Sequence, residues 1–239
     1  MSVTTMFNSD GADIIFVVGT PGSKWSAIAH ALMYADGINR SDMSLERSYA
    51  GDSRTLHFGN YFGPGMEYGR QFDDIGSMGK PALLAEFAAP YRESGGIKLL
   101  KSHVFSRHLP YLAELFPAAR FLLVQRPDQD CLAWWEAAGG FSITYPDYSW
   151  YKSSSNMAAH IAADNACISA FVEQRRRRLV RRRSMAPILA ELGLSYSMEG
   201  VKAVSELEFE RRWGLGDQPP ADVLNACHAM ARSAAACVI

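Results

Sequence analysis

The chain lacks the features that mark secreted, metal-binding or membrane-inserted proteins. It has only four cysteines, and they show neither a Cys-x-x-Cys pair nor the Cys/His spacing of a zinc site. No apolar run approaches the roughly 20 residues of a membrane-spanning helix. The amino-terminal residues also lack the basic and apolar segments of an export signal. We therefore expect a cytoplasmic protein with no metal site and no membrane partner.

An excess of charge of one sign is missing as well. Lys and Arg number 24 against 25 Asp and Glu, so the net charge of -1 gives no overall attraction to nucleic acid. Seven arginines nevertheless cluster between Arg175 and Arg183. We interpret this run as a solvated face, and the alternative is a patch that binds an acidic acceptor or a nucleotide phosphate. No nucleic-acid partner is expected, and the sequence leaves the oligomeric state open.

The apolar pattern predicts an α/β fold. A length of 239 residues suits one large domain, so we predict a single domain over residues 1–239. Ile14 to Val18 is an apolar, largely β-branched run, typical of a strand buried on both faces of a parallel sheet. A helix is predicted from Ser23 onwards. Two more strands are predicted at 97–100 and 121–124. A helix predicted at 109–116 joins them in a βαβ unit.

Most of the remaining chain is predicted to be helical. Residues 37–78 are rich in Gly, Ser and Asp and show no sustained periodicity, so we expect an irregular segment there. Apolar residues at helical spacing predict further helices at 81–91, 128–138, 156–180, 186–192 and about 222–236. The expected architecture is three-layered, α/β/α, with helices flanking a parallel sheet.

The loop after the first strand has the composition of a phosphate-binding turn. It reads Gly-Thr-Pro-Gly-Ser-Lys-Trp-Ser from Gly19 to Ser26. Glycines there expose backbone N–H groups, and the following helix N-terminus adds more of them. The loop ends in Ser-Lys-Trp-Ser instead of the Gly-Lys-Ser/Thr of a Walker A motif, which disfavours an ordinary ATPase or GTPase. A tight turn with no ligand is the alternative interpretation.

Charged residues follow the next two predicted strands. Lys101-Ser102-His103 comes after one strand and Arg126-Pro-Asp after the other. Parallel strands end at a shared carboxyl edge, where open α/β sheets bind their ligands. We therefore expect these residues and the first loop to form one site.

In order and spacing these three segments resemble the sulfotransferases that use 3′-phosphoadenosine 5′-phosphosulfate (PAPS). In that family a P-[KR]-S-G-T-T loop holds the 5′-phosphosulfate. A K-T-H segment carries the catalytic Lys and His, and an R-x-P-x-D-x-x-x-S segment binds the 3′-phosphate. The resemblance covers roughly residues 13–140. It implies a P-loop-like parallel sheet, PAPS as the sulfuryl donor, and a hydroxyl of a carbohydrate or small molecule as the acceptor.

The resemblance also implies roles for individual residues. Lys101 and His103 fall on the catalytic pair, Lys24 is a further catalytic candidate, and Arg126 falls on the 3′-phosphate arginine. The full set implied for donor binding is Thr20, Pro21, Gly22, Ser23, Lys24, Trp25, Ser26, Arg126 and Trp134.

Several positions depart from the family pattern. Gly22 stands where the loop usually has Lys or Arg, and Lys24 stands where it has Gly. Trp25 replaces a Thr of the loop. Trp134 occupies the place of the serine that helps to hold the 3′-phosphate, and Pro127 comes one position early.

Sulfuryl transfer needs the residue types found at these strand ends. A base must take the acceptor proton, and the pKa of an imidazole, about 6.5, suits that task near neutral pH. A cation must also meet the charge that develops on the leaving phosphate. His103 is the candidate base, with Lys101 or Lys24 as the cation. The alternative for His103 is a hydrogen-bonded structural histidine.

Other features carry less weight. The aromatic stretches 57–72 and 141–151 suit a sugar or phenolic acceptor, although core packing explains their rings equally well. Two other functions stay open: a P-loop nucleotide kinase, and a non-catalytic protein that binds a nucleotide or carbohydrate. Four histidines have no charged partner at a telling spacing and are interpreted as surface or core residues: His57, His108, His160 and His228.

Overall fold

Three parallel strands form the sheet of the part of the chain described here. The computed structural model describes residues 6–41, 75–89, 91–137, 153–175 and 185–206. The strands are β1 (Ile14–Gly19), β2 (Lys98–Lys101) and β3 (Arg120–Val124), in the order β2-β1-β3. All three predicted strands are therefore confirmed. β1 is buried along its whole length, which suits its apolar and largely β-branched residues.

The order of the strands adds a feature that the apolar pattern did not predict. β2 and β3 are parallel and joined through a helix, as expected of a βαβ unit, but β1 lies between them. Ile14 pairs with Lys98 on one side of β1, and Ile15 pairs with Arg120 on the other. The crossover therefore passes over the first strand of the chain, which becomes the centre of the sheet.

Helices occupy most of the remaining described residues. None of them is both long and apolar enough to cross a membrane. Residues 42–74, which include most of the predicted irregular segment, lie outside the described residues. So do residues 207–239, which include the last predicted helix. Two 3₁₀ helices span Ile75–Ser77 and His103–His108. The α-helices are α1 (Trp25–Leu32), α2 (Lys80–Ala88), α3 (Leu109–Leu115), α4 (Asp128–Ala137), α5 (Ser154–Arg175), α6 (Met185–Leu192) and α7 (Met198–Glu206).

Successive side chains of β1 point to opposite faces of the sheet, and each face has its own apolar core. Ile15 and Val17 pack with α1 and α6 on one face. Ile14, Phe16 and Val18 pack on the other face with α2, α3, α5 and the 3₁₀ helix His103–His108. Helices thus lie on both faces of the strands, in agreement with the predicted layers. A third, smaller cluster joins α4 to α5 through residues such as Leu132 and Ile161.

Phe16 is the centre of the second of these faces. Its ring centroid lies 5.3 Å from that of Phe105 and 5.1 Å from that of Phe121. The rings of Phe87 and Phe116 lie at 5.8 Å. Edge-to-face and offset contacts at these distances are the favourable geometries of aromatic pairs. Phe16 therefore links the central strand to β3, to α2, and to the segment that follows β2.

Candidate functional site

The three segments singled out in the sequence lie at one edge of the sheet. β1 runs into the first loop, Thr20–Lys24, and β2 runs into Ser102 and the 3₁₀ helix that begins at His103. β3 runs into Gln125 and Arg126. Because all strand pairs are parallel, these continuations share the carboxyl edge.

The first loop is a tight turn pressed against α4. The backbone N–H of Ser23 donates to the carbonyl of Thr20 at 3.1 Å, and Gly22 has φ of 74°. With Pro21 before the glycine, this is the pattern of a type II turn. A Cβ atom on Gly22 would lie 1.8 Å from the carbonyl oxygen of Cys131. No side chain fits at position 22, so the basic residue usual in the family is sterically excluded here.

The hydroxyl of Ser23 is buried inside this loop. Ser23 is fully buried, and a Cβ atom on Gly19 would lie 2.8 Å from Ser23 Oγ, so glycine at position 19 makes room for it. Within the described ranges Ser23 Oγ has no hydrogen-bond partner. A buried hydroxyl without a partner costs on the order of 1–3 kcal/mol. An oxyanion at the start of α1 would supply the missing acceptor.

Lys24 and Trp134, two of the departures from the family pattern, contact each other. Lys24 precedes α1 with φ of 64° and ψ of 18°, a left-handed conformation that favours glycine. Its Nζ lies 3.0 Å from the centroid of the Trp134 ring in α4. Such a cation–π contact stabilises an ammonium group by roughly 0.5–2 kcal/mol. The charge of Lys24 is therefore placed between the loop and α4.

Arg126 also contacts the loop. Its Nε donates to the carbonyl of Ser23 at 2.9 Å. Asn165 of α5 fixes the turn that carries Arg126, because its Nδ2 donates to the Arg126 carbonyl at 3.0 Å and to Asp128 Oδ1 at 2.6 Å. Arg126 thus contacts the carbonyl of the peptide that joins Ser23 to Lys24.

Lys101 is a buried cation on the α1 side of the sheet. Only 1% of it is exposed, and its Nζ lies 5.2 Å from the centroid of the Trp25 ring at the start of α1. Burial, reinforced by the charge of Lys101, lowers the pKa of His30 in α1 from 6.5 to about 4. Lys98, three residues earlier, is equally buried and forms a 2.9 Å ion pair with Asp13, which precedes β1. Lys98 therefore lies at the amino end of β2, and Lys101 lies at its carboxyl end.

The other predicted site residues lie in the first loop, in α1 and at the segment after β2. Thr20 is buried, with its Oγ1 3.4 Å from Cys131 Sγ. Burial raises the pKa of the Cys131 thiol to about 12, so Cys131 is not a nucleophile near neutral pH. Pro21 is buried, and Ser26 lies in the first turn of α1. His103 begins its 3₁₀ helix, which Ser102 caps by accepting the Val104 N–H at 3.5 Å.

A further polar cluster, unrecognised in the sequence, lies between this 3₁₀ helix and α5. Arg107 Nε donates to Asp164 Oδ1 at 2.9 Å, and Arg107 Nη2 lies 2.8 Å from His160 Nδ1. His160 Nε2 lies 3.2 Å from Asp164 Oδ2, within ion-pair distance but poorly aligned for a hydrogen bond. The interpretation of His160 as lacking a charged partner is therefore wrong. The i,i+4 spacing of His160 and Asp164 on a predicted helix was the available signal.

Several predicted features lie outside the described residues. These are residues 176–183 of the arginine run, the aromatic stretches 57–72 and 141–151, His57 and His228. Within the described ranges, no group of three or more His, Cys, Asp or Glu could hold a metal ion. Comparison of the chain with models of protein families and with curated proteins finds no match. The resemblance to sulfotransferases therefore stays a prediction.

The close contact at Gly22 gives a test of the loop geometry. We expect Gly22→Ala to destabilise the fold by about 2–4 kcal/mol, because the new Cβ meets the Cys131 carbonyl and the backbone is left-handed there. Gly95→Ala is the matched control, since nothing lies within 4 Å of its Cβ position. Urea unfolding measures both. Equal stabilities for the two variants would contradict this packing.

The burial of His30 in α1 gives a pH test of the structure. An unfolded chain protonates His30 near pH 6.5, whereas the folded chain keeps it neutral down to about pH 4. Folding stability should therefore fall as the pH drops from 6.5 to 4 and stay unaffected by this group above 6.5. His30→Gln should make this decline shallower in urea unfolding across that window. An identical pH dependence in the variant would show that His30 titrates normally.

Proposed function

We propose that this chain is a PAPS-dependent sulfotransferase with a P-loop-like sheet. The observation that carries the proposal is the buried Ser23 hydroxyl, which has no hydrogen-bond partner among the described residues and precedes α1 in a loop that contains Lys24 and whose backbone Arg126 contacts. A helix N-terminus, a buried hydroxyl without a partner and two cations are together suited to phosphate or sulfate groups. Lys101 adds a third cation at the same edge.

The donor's two anionic ends would be held by different parts of the site. Ser23 and the N–H groups of α1's first turn would hold the 5′-phosphosulfate, and Arg126 would hold the 3′-phosphate. Trp134 stands where the family has a serine, and it carries the ammonium of Lys24 on its ring. Lys24 would thus provide the second 3′-phosphate contact, replacing a hydroxyl with a cation. This role leaves Lys101 as the cation for the leaving phosphate.

The transfer step would use His103 and Lys101. His103 would remove the proton of the acceptor hydroxyl as its oxygen bonds to sulfur, and the sulfur–oxygen bond to the 5′-phosphate would break. The electron pair of that bond stays on the phosphate oxygen, where Lys101 would stabilise the new charge. Burial strengthens this effect, because a desolvated ammonium interacts more strongly than one in water.

Two other functions predict different ligands. A P-loop kinase would need magnesium and a nucleoside triphosphate, but the loop lacks the Gly-Lys-Ser/Thr end that holds them. A non-catalytic protein would bind the nucleotide and leave an acceptor unchanged. The sulfotransferase proposal is favoured because His103 and Lys101 flank Ser102 at the strand end that adjoins the loop.

Nucleotide binding tests the donor site. We expect adenosine 3′,5′-bisphosphate to bind in the presence of EDTA and more tightly than ATP with magnesium. Arg126→Ala should weaken it about 10- to 100-fold, the loss expected for charged hydrogen bonds to a phosphate. Arg92→Ala, an exposed arginine ahead of β2, is the control and should bind normally. Calorimetry measures each constant. Tighter binding of magnesium ATP, or normal binding by Arg126→Ala, would refute the donor assignment.

Binding and turnover should separate at His103. His103→Ala should lower sulfuryl transfer from PAPS by about 100-fold or more, because a general base contributes at least that much. The affinity for adenosine 3′,5′-bisphosphate should stay within about twofold, since the base acts on the acceptor. Release of the bisphosphate from PAPS in the presence of candidate hydroxyl acceptors measures the rate. Nearly normal turnover in the variant would assign the base to another residue.

A further inference from the structure

Part of the Arg107 guanidinium is hydrogen-bonded within the protein, and the side chain is partly exposed to solvent. Its Nε and one Nη2 hydrogen are used by Asp164 and His160, as described above. Among the described residues Nη1 has no hydrogen-bond or ion-pair partner, and 46% of the side chain is exposed. The Nη1 and Nη2 ends of a guanidinium form a planar fork that matches two oxygens of a carboxylate or sulfate. In Arg107 the Nη2 end of this fork is shared with His160, and the Nη1 end carries the hydrogens left for a ligand.

The carboxylate that holds Arg107 is completely buried. Asp164 is 0% exposed, and isolated burial of an ion costs several kcal/mol unless partners compensate. Arg107 and His160 both contribute to that compensation. The arrangement fixes the guanidinium before any ligand arrives, which lowers the entropic cost of binding. The pair has no net charge, so recognition would depend on short paired hydrogen bonds.

Arg107 also belongs to the carboxyl edge of the sheet. Asp164 and Asn165 are consecutive on α5, and Asn165 holds the carbonyl of Arg126. The same turn of α5 therefore contacts both Arg107 and the segment after β3. Arg107 follows His103 by four residues of a 3₁₀ helix, which is about 8 Å along its axis. This separation is comparable to the length of one or two sugar rings.

We propose that the Arg107 fork binds an anionic group of the acceptor, a carboxylate or a sulfate ester. The acceptor would accordingly be an acidic carbohydrate or an acidic small molecule, with its reacting hydroxyl near His103. The anion site stands on the geometry of Arg107 alone, whereas its role in acceptor binding rests on the proposed sulfotransferase function.

Three matched sugars test the site without any turnover. The probes are glucuronate, glucose 6-sulfate and neutral glucose, titrated into nitrogen-15-labelled protein. At least one anionic sugar should shift the backbone signals of residues 103–108 and 160–165 and bind at least tenfold more tightly than glucose. Arg107→Lys keeps a cation beside Asp164 but lacks the fork, and it should lose about tenfold of that affinity. Arg92→Lys is the control and should bind as the wild type does.

The outcomes separate the two proposals. Equal affinity in wild type and Arg107→Lys, or anions that bind no better than glucose, would overturn the anion site. Should Arg107→Lys fail to fold, Asp164→Asn removes the carboxylate that neutralises the guanidinium and should tighten anion binding, and unchanged anion affinity there would be equally decisive. Adenosine 3′,5′-bisphosphate should bind both variants normally. Its failure to bind the wild type would defeat the sulfotransferase function while anion binding at Arg107 still stood.

Discussion

The contact between Gly22 and the carbonyl of Cys131 determines how the first loop and α4 fit together. It leaves no space for a Cβ atom, so the loop backbone lies directly on the helix backbone. Three other contacts depend on this closeness: Thr20 with Cys131, Arg126 with the Ser23 carbonyl, and Lys24 with Trp134. The loop after β1 and the segment after β3 consequently form one unit, although about a hundred residues separate them.

This closeness also brings together the positions at which the loop and α4 depart from the pattern that the sequence resembles. Gly22 stands where the pattern has a basic residue, and Lys24, two residues later, places a cation in the loop instead. Lys24 adopts the left-handed backbone that suits the glycine found there in the family. Its ammonium rests on Trp134, in the place of the missing serine. Along the sequence these positions are separate departures from the pattern, but in the structure they all lie where the first loop contacts α4.

Much of this fold could be predicted from the sequence, because β-branched runs and helical spacing report directly on local burial. The strands and the presence of the first loop at the carboxyl edge follow from such patterns. The placement of β1 between β2 and β3 does not, since periodicity carries no information on strand order. The network of Arg107, Asp164 and His160 was not predicted either. It joins residues more than fifty positions apart, and only the His160–Asp164 spacing is local.

The central position of β1 has a consequence for how the chain reaches its folded state. β1 emerges first during synthesis, yet both of its partners come much later, because Ile14 pairs with Lys98 and Ile15 with Arg120. Until then its apolar residues have no neighbouring strand and present unpaired edges to other chains. Long-range parallel pairing of this kind slows folding, since distant segments must meet before any contact stabilises them. The strand that finally organises the sheet is thus the one exposed longest to aggregation on the ribosome.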